Sequence, residues 1–396
     1  MTIVAAHVQP ATAPTQLPSP SPTDEESSSS GSQLRSCNMW HIVVLILHLS
    51  STWVDGVQQV PCYFIFGDSL FDIGNNNDLQ TEAKANFPPY GIDFPGGATG
   101  RFTNGRNMAD ILAELLGFDG YIPSFASTEK GQQDIFKGLN YASGGSGILN
   151  ETSKNHLGEV ISLDQQLQNH GKIVSEIMRI KGDKKSAKDH LGQCIYTIGT
   201  GSNDYINNYF LPVFYRTKNQ YTSERYATVL IQQFSQPLKD LYNYGARKIA
   251  IFGLGLLGCT PAILAMDGTD EIICVDSMNL AVKQFNNKLI RLVDKLNNNL
   301  PGAKFSHVNV SGISSTPIPG VTVMKTPCCE VGNLTVNNEA LTCTQFGNSC
   351  PDRAKYTFWD GVHPTQITQV FIGKRAYKAQ FSLDTCPFDI HHPAQL

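Results

Sequence analysis

Residues 64–72 read FIFGDSLFD and have the pattern of a buried strand that ends in a turn. The apolar residues 62–66 have the length and composition of such a strand. Gly67 lets the backbone turn sharply, which places Ser69 at the carboxyl end of the strand, where open α/β sheets gather their reacting groups. Ser69 is therefore a candidate nucleophile, although Gly-Asp-Ser alone is typical of a turn that caps a helix.

Four more short apolar segments predict strands, and amphipathic segments between them predict helices. The predicted strands span residues 139–142, 194–198, 248–252 and 305–310, and the predicted helices span residues 108–116, 163–180, 223–244, 275–300 and 364–378. Strands that alternate with helices indicate an α/β fold built on a parallel sheet. No internal repeat and no linker divides residues 57–396, so we expect one domain there.

The composition excludes one broad class of function. Of the 396 residues, 41% are hydrophobic and 16% are charged, which is enough apolar material for a sizeable core. The formal net charge is −4, and the sequence has no basic run and no alternation of basic with aromatic residues. We therefore expect no nucleic-acid partner.

The first 56 residues have the composition of a leader. Residues 1–38 include a stretch rich in Pro, Ser, Thr and Gln and are expected to be disordered. Residues 39–56 resemble a signal peptide, because the apolar run 42–49 is too short to span a bilayer and Val54 and Gly56 suit a cleavage site. Secretory signals begin near the start of a chain, so translation from Met39 is favoured over an unusually long n-region. A signal anchor that stays uncleaved is the other alternative, but no stable membrane span is expected.

The ten cysteines indicate an oxidising compartment. Cys37 would leave with the leader, and the odd number that remains requires at least one free thiol. Cys194, inside an apolar segment, is the expected free thiol, and Cys259 and Cys274 are expected to form a local bridge. In the last cluster disulfides are favoured over a zinc site, since it has an adjacent pair and no CxxC spacing: Cys328, Cys329, Cys343 and Cys350.

Three sequences of the type Asn-x-Ser/Thr fit a secreted glycoprotein. They place candidate N-glycosylation sites at Asn150, Asn309 and Asn333. Each motif is common by chance, so they support secretion only together with the cysteines and the leader.

Residues 253–258 read GLGLLG and match the dinucleotide-binding pattern GxGxxG. That pattern requires a helix that opens within it, whereas Pro261 follows closely and resists continuation of a helix from upstream. The segment also lies late in the chain, without the half-domain that precedes it in dinucleotide-binding proteins. We therefore expect no nicotinamide cofactor.

Near the C-terminus, residues 358–365 read FWDGVHPT. A tight loop can present Asp360 and His363 together, so that Asp360 accepts from one imidazole nitrogen while the other nitrogen faces a serine hydroxyl. Pro364 suits the first turn of a helix, and capping of that helix is the alternative role of the pair. The pair supplies the base that Ser69 requires.

Donors for an oxyanion are also present. The N–H groups of Ser69 and of Gly145, in the loop 143–147 (SGGSG), can converge with the side chain of Asn203, which follows the third predicted strand. Taken singly, Gly145 fits a plain turn and Asn203 fits an Asx-turn. Whether Gly145 and Asn203 are oxyanion donors or turn residues therefore depends on the other residues of the site.

These residues lie in blocks with a distinctive order. The blocks are FGDSL around Ser69, NYASGG around Gly145, GSND around Asn203, and DGVHP around Asp360 and His363. This order resembles the SGNH hydrolase superfamily, and specifically the plant GDSL-type esterase/lipase family. The resemblance runs from about residue 61 to residue 386, and residues 1–38 have no counterpart in the family pattern.

The resemblance implies a flavodoxin-like three-layer α/β/α fold with a mostly parallel, five-stranded central sheet. It also implies ester hydrolysis without a metal or an organic cofactor. Ser69 would be the nucleophile, His363 the base and Asp360 its orienting partner, while Ser69, Gly145 and Asn203 would form the oxyanion hole. The adjacent Gly144 leaves the register of the glycine open.

We therefore predict a secreted carboxylic-ester hydrolase that acts through an acyl-enzyme on lipid or acylated small-molecule esters, in the apoplast or cell wall. The vacuole and the endoplasmic reticulum are alternative locations. One alternative function is an acyltransferase that passes the acyl group to an alcohol such as a cutin monomer. Another is a catalytically silent lipid- or carbohydrate-binding protein, against which the intact Ser69, Asp360 and His363 argue. The serine is not in a GxSxG elbow, which disfavours the α/β-hydrolase architecture.

Overall fold

The apolar run before Ser69 forms the first strand of the central sheet, and all five residues of that strand are buried. The computed structural model describes residues 57–130, 134–267, 273–332 and 341–396. Its strands are β1 (Tyr63–Gly67), β2 (Ile195–Gly199), β3 (Lys248–Phe252), β4 (Lys304–Val308), β5 (Val323–Pro327), β6 (Tyr356–Phe358) and β7 (Thr385–Cys386). The sheet has the order β1-β2-β3-β4-β7, with four parallel strands and an antiparallel β7. The predicted α/β class and the mostly parallel, five-stranded sheet are confirmed.

The predicted strand at residues 139–142 is not a strand in the structure. The segment runs along the outer edge of β1, where Ile65 N–H donates to the Leu139 carbonyl at 3.0 Å. Tyr141 N–H donates in turn to the Ile65 carbonyl at 2.7 Å, so the segment adds a single parallel bridge, Ile65 with Asn140, at the edge of the sheet. The fifth strand is β7 instead. With this segment counted beside β1, the order along the sheet follows the flavodoxin-like pattern 2-1-3-4-5.

Helices of very different length connect these strands. They are α1 (Met108–Leu115), α2 (Lys154–Leu157), α3 (Leu163–Lys181), α4 (Lys184–Gln193), α5 (Ser202–Asp204), α6 (Thr217–Gln220), α7 (Ser223–Tyr244), α8 (Pro261–Asp267), α9 (Asp276–Asn299), α10 (Val310–Ser314), α11 (Gln366–Tyr377) and α12 (His391–Ala394). Four of the five predicted helices, α1, α3, α7 and α9, agree with the prediction to within one residue at each end. Gly245 ends α7 with a φ of 124°, a conformation that glycine adopts without strain.

Helix α11 begins later than predicted. Its N-cap is Thr365, so Pro364 lies ahead of the helix rather than in its first turn. The alternative in which Asp360 and His363 merely cap this helix is therefore wrong, and both side chains are free for other contacts.

The sheet has helices on both faces, which gives three layers. Side chains alternate between the two faces of a strand, so Phe64 and Phe66 lie in one core and Ile65 in the other. The larger core is completed by α3, α7 and α9, and the smaller core by α1 and α11. The parallel strands of the central sheet thus lie between two packed cores, which fixes where the loops that follow them begin.

The register between β1 and β2 also brings two cysteines together. Tyr63 pairs with Ile195, so Cys62 and Cys194 are neighbours with Cα atoms 4.7 Å apart, and they form a disulfide. The prediction of Cys194 as the free thiol was therefore wrong. The exposed Cys386 is the free cysteine of the described chain.

The two predictions about cysteine pairing are confirmed. Cys259 and Cys274 form the expected local bridge. The last cluster pairs as disulfides and not as a zinc site, with the bridges Cys328–Cys350 and Cys329–Cys343. In the described part of the chain, one group of Cys and His side chains lies at metal-ligand spacing: Cys62, His190 and Cys194. Both of its sulfurs already form the disulfide.

Some predictions fall on residues outside the described ranges. The leader, the signal peptide-like segment and Asn333 lie there. Asn150 is exposed, whereas the Asn309 side chain caps α10 and accepts Gly312 N–H at 3.0 Å. None of the helices in the described ranges is long and apolar enough to cross a membrane. The described residues all belong to one compact unit.

An imidazole is buried in the larger core. His170, on α3, is fully buried and lies edge-on to the rings of Phe64, Phe66 and Tyr196. Its Nδ1 contacts the Tyr141 hydroxyl at 3.2 Å. Burial lowers the pKa of His170 to about 3, since the core cannot solvate the imidazolium.

This burial makes stability depend on pH. Below the pKa of about 6.5 of an unfolded histidine, the unfolded state binds a proton that folded His170 refuses, so the folded state loses stability as pH falls from 6.5 toward 3. We expect His170→Phe to remove this loss. When the pH falls from 7 to 5, the free energy of unfolding of the variant minus that of wild type should increase by about 2 kcal/mol. Urea denaturation at the two pH values measures the difference.

Tyr141→Phe is the matched control, because it alters the same cluster without removing a group that titrates in this range. Its difference from wild type should be equal at pH 5 and pH 7. A His170→Phe difference that is also independent of pH would contradict the neutral, buried state of His170.

Candidate active site

The turn after β1 is fixed by its neighbour in the sheet. Gly67 pairs with Gly199 of β2 and has a φ of 144°, and a Cβ there would collide with the Gly199 carbonyl oxygen. Asp68 N–H donates to that same carbonyl at 3.0 Å. The Gln166 side chain then bonds both the N–H and the carbonyl of Gly67, each at 2.9 Å. Ser69 follows this braced turn directly.

The loop that carries the imidazole is folded on itself. Trp359 N–H donates to the His363 carbonyl at 2.8 Å, which closes the loop, and the Asp360 Oδ1 accepts the N–H groups of Val362 and His363 at 2.9 and 2.7 Å. The loop is also tied to the disulfide cluster, because Cys329 N–H donates to the Trp359 carbonyl at 2.8 Å. A short polar loop is thereby given one conformation.

The structure brings three of the predicted residues together in one hydrogen-bonded chain. His363 Nε2 lies 2.7 Å from the Ser69 Oγ, and His363 Nδ1 lies 2.7 Å from the Asp360 Oδ2. Asp360 is fully buried, and Ser69 and His363 are only 9% and 7% exposed. The Phe102 ring packs 4.9 Å from the imidazole, centroid to centroid. This arrangement can remove a proton from the serine hydroxyl.

Tyr90 is a member of the site that the sequence analysis missed. Its hydroxyl donates to the Asp360 Oδ2 at 2.6 Å and accepts Cys343 N–H at 3.1 Å. Burial, and then the adjacent Asp360, raise the pKa of Tyr90 well above its usual value, so the hydroxyl keeps its proton. No sequence signal links Tyr90 to Asp360, because 270 residues separate them.

The predicted oxyanion donors have distinct environments. Asn203, at 9% exposure, donates from Nδ2 to the Ser146 carbonyl at 2.9 Å, and its Oδ1 accepts from Asn207 at 2.8 Å. These bonds orient the carboxamide and leave the second Nδ2 hydrogen unused by the described residues. The N–H groups of Ser69 and Gly145 likewise make no hydrogen bond to any described residue.

Gly144, in contrast, is already engaged. Its N–H donates to the Asp72 Oδ2 at 2.8 Å, whereas Gly145 has a φ of 81° and offers an N–H without an internal acceptor. Of the two adjacent glycines, Gly145 is therefore the better candidate for the oxyanion donor.

Two buried carboxyls hold the glycine loop in place, and neither was identified from the sequence. Besides Gly144, Asp72 accepts the N–H groups of Gly74 and Asn75, both at 2.8 Å. Asp204 holds the segment that follows the loop, because it accepts from Ile148 N–H at 2.7 Å, from Leu149 N–H and from the Thr152 hydroxyl. Burial raises the pKa of each carboxyl to about 6, and these hydrogen bonds oppose the rise.

Ser69 opens into a largely apolar cavity of about 610 Å³. The cavity also contains Asn203 and His363, and its walls come from α10, α11, β5, β6 and the GLGLLG segment, residues 253–258. That segment does not open a helix: a 3₁₀ turn occupies Leu257–Cys259, and α8 begins at Pro261. A larger cavity of about 890 Å³ lies beside α9 and contains none of the predicted catalytic residues.

Comparisons with known proteins agree with this geometry. Residues 63–376 match the family model described as GDSL-like lipase/acylhydrolase. The chain belongs to this family. Two GDSL esterase/lipases of Arabidopsis thaliana are each 47% identical to it, over 90% of this chain and 98% of one relative, and over 92% of this chain and 100% of the other. A third from the same plant is 43% identical over 91% of this chain and 99% of its own length.

The family resemblance inferred from the sequence is thereby confirmed, together with the SGNH-type fold. Membership of this family makes the chain a carboxylic ester hydrolase of the esterase/lipase type. The matched region spans β1 to α11, and so includes both Ser69 and the loop that carries His363.

The hydroxyl of Tyr90 should be energetically important, since it pairs with two buried groups. We expect Tyr90→Phe to lower the free energy of unfolding by about 1–3 kcal/mol, because Asp360 and Cys343 N–H each lose a buried partner. Equilibrium denaturation in urea measures the loss.

Tyr205→Phe is the matched control. Tyr205 is also fully buried, but its hydroxyl has no hydrogen-bond partner among the described residues, so its removal should cost little or nothing. Equal losses in the two variants would contradict a special role for the Tyr90 hydroxyl.

Proposed function

We propose that this hydrolase acts through an acyl-enzyme, with Ser69 as nucleophile, His363 as general base and Asp360 as the group that orients the imidazole. The observation that carries the proposal is the chain from Ser69 Oγ through His363 to Asp360 Oδ2, with both contacts at 2.7 Å. These are the distances at which a proton passes between nucleophile and base.

The steps follow from this chain. Ser69 Oγ attacks the ester carbonyl as His363 Nε2 takes the hydroxyl proton, while Asp360 accepts from Nδ1 and stabilises the imidazolium. The imidazolium then gives its proton to the leaving alcohol, and the acyl group stays on Ser69. A water that His363 activates attacks this ester next, which releases the acid and restores the serine. Tyr90 holds the Asp360 carboxyl in position for both halves of the reaction.

The oxyanion is received by three donors. In this proposal they are the N–H groups of Ser69 and Gly145 and the free Nδ2 hydrogen of Asn203. The support is that each is unused by the described residues, while the neighbouring Gly144 N–H is not. These donors have fixed positions before substrate binds. Asn207 holds the Asn203 side chain, Asp72 holds the glycine loop at Gly144, and Gln166 holds the turn before Ser69 at Gly67.

The substrates are small-molecule esters whose apolar part enters the cavity beside Ser69. Apolar side chains form most of its wall, among them Met108, Leu254 and Ile372, which suits an acyl chain. Four disulfides in the described chain fit an extracellular protein, and we propose that the segment 39–56 directs its secretion. The exposed Asn150 is the candidate glycosylation site that is most accessible in the described chain.

Ser69→Ala tests the nucleophile. We expect it to abolish hydrolysis of p-nitrophenyl esters from acetate to palmitate and to prevent labelling by a fluorophosphonate probe, with the thermal unfolding midpoint little changed. Release of p-nitrophenol and the probe signal are measured beside wild type. Substantial remaining turnover in the variant would refute the assignment of Ser69.

Asn203→Ala tests the oxyanion hole. We expect kcat to fall by about ten- to a thousand-fold, with a smaller change in KM, because the side chain binds the charge that develops in the transition state. Asn208→Ala is the matched control, since Asn208 is buried one helical turn away and bonds Thr152 outside the cavity. If kcat is unchanged in Asn203→Ala, the side chain has only its role in the turn.

A further inference from the structure

Two buried polar atoms beside Ser69 are left without a partner. Asp68 and Thr200 are 1% and 3% exposed, and both line the cavity that contains Ser69. The Asp68 Oδ2 and the Thr200 Oγ1 make no hydrogen bond to any described residue. Buried polar groups in proteins are almost always paired, so two unpaired atoms in one cavity require an explanation.

The sheet places these two residues side by side. Gly67 of β1 pairs with Gly199 of β2, and Asp68 and Thr200 are the residues that follow this pair. Asp68 N–H also donates to the Gly199 carbonyl at 3.0 Å, which continues the pairing beyond the strand ends. The mechanism uses neither side chain, although Ser69 is the next residue after Asp68.

The cavity around them is largely apolar, and the polar side chains that share it include those of Asn203, His363 and Gln369. Asp68 Oδ1 accepts Leu70 N–H at 3.1 Å, which leaves the buried Oδ2 as the unpaired atom of the carboxyl. Burial raises the pKa of Asp68 to about 7, so near neutral pH the carboxyl can act as donor or as acceptor. A threonine hydroxyl has the same dual capacity. A hydroxyl group, which both donates and accepts, complements this pair in either protonation state.

We propose that Asp68 and Thr200 form a subsite for a hydroxyl group of the substrate, and that the preferred esters carry a hydroxyl close to the scissile carbonyl. The inference rests on the proposed function, because Ser69 defines where that carbonyl lies. The hydroxyl belongs either to the alcohol part, as in a polyol ester, or to the acyl part, as in a hydroxy acid ester. The subsite is a means of specificity, since an ester without the hydroxyl leaves both buried atoms unpaired.

Two pairs of esters separate these sources. Monohexanoylglycerol against propyl hexanoate tests the alcohol part, and ethyl 3-hydroxyhexanoate against ethyl hexanoate tests the acyl part. For each pair kcat/KM is measured by titration of the released acid. We expect wild type to favour the hydroxylated member of at least one pair. Thr200→Val, which keeps the shape and removes the hydroxyl, should lower kcat/KM for that ester by about 5- to 150-fold and leave its plain partner within about twofold.

Two variants control this result. Thr200→Ser keeps a hydroxyl and should retain the preference. Thr368→Val makes the same change in the same cavity, but the Thr368 hydroxyl already donates to the Thr357 carbonyl at 3.0 Å, so the preference should be unaffected. Equal kcat/KM within both ester pairs for wild type, or an equal loss on both members in Thr200→Val, would overturn the subsite.

A binding measurement keeps the subsite testable if no ester is hydrolysed. Calorimetry with Ser69→Ala compares the Kd of the same four esters, and tighter binding of a hydroxylated ester that is lost in Ser69→Ala/Thr200→Val supports the subsite even where the hydrolytic mechanism fails. Equal Kd values within both pairs would overturn it. A preference for hexanoylcholine over all four esters, abolished by Asp68→Asn, would instead assign the Asp68 carboxyl to a cation and contradict the proposal.

Discussion

The register between β1 and β2 is the constraint on which the site depends. Gly67 faces Gly199 so closely that no side chain fits at Gly67, and the two strands therefore end level with each other. The turn with Ser69 and the turn with Asn203 start from these two ends. A shift of one residue would reverse the faces of every side chain in β1 and exchange its core residues between the two layers. Core packing on both faces thus fixes the position of Ser69, the proposed nucleophile.

The glycine loop between these turns is held by charge instead of by packing. Asp72 and Asp204 are buried carboxyls whose raised pKa values show the energetic penalty of removing them from water. Each recovers part of that penalty by accepting three hydrogen bonds. Asp72 ties Gly144 of the loop to the turn after β1, and Asp204 holds the segment that follows the loop, at Ile148, Leu149 and Thr152. The loop contributes backbone donors to the site, so its rigidity matters more than its side chains. In the proposed mechanism these donors receive a developing negative charge, which favours donors that do not reorganise.

The sequence predicted what depends on local pattern. Strand β3 and helix α7 were placed to the residue, because hydrophobic periodicity and a terminal glycine are local signals. The segment 139–142 lies beside β1 but pairs with it through one isolated bridge, and local pattern does not show how far a pairing extends. The same limit explains Cys62 and Cys194, whose proximity follows from register between segments 132 residues apart. Ser69, Asp360 and His363 were found through motif order, whereas Tyr90 has no motif and is visible only in three dimensions.

The loop with His363 shows why the disulfides belong to the argument about catalysis. His363 must meet a serine 294 residues earlier in the chain, on a different element. Helix α11 does not fix it, since the loop ends before the N-cap at Thr365. The loop is anchored instead by backbone bonds from Cys328 and Cys329 and by the Tyr90 hydroxyl, which in turn binds Cys343 N–H. Three of the cysteines that form the two disulfides therefore bond either the loop that carries His363 or the tyrosine that holds Asp360, so the disulfide cluster is part of the scaffold behind the imidazole.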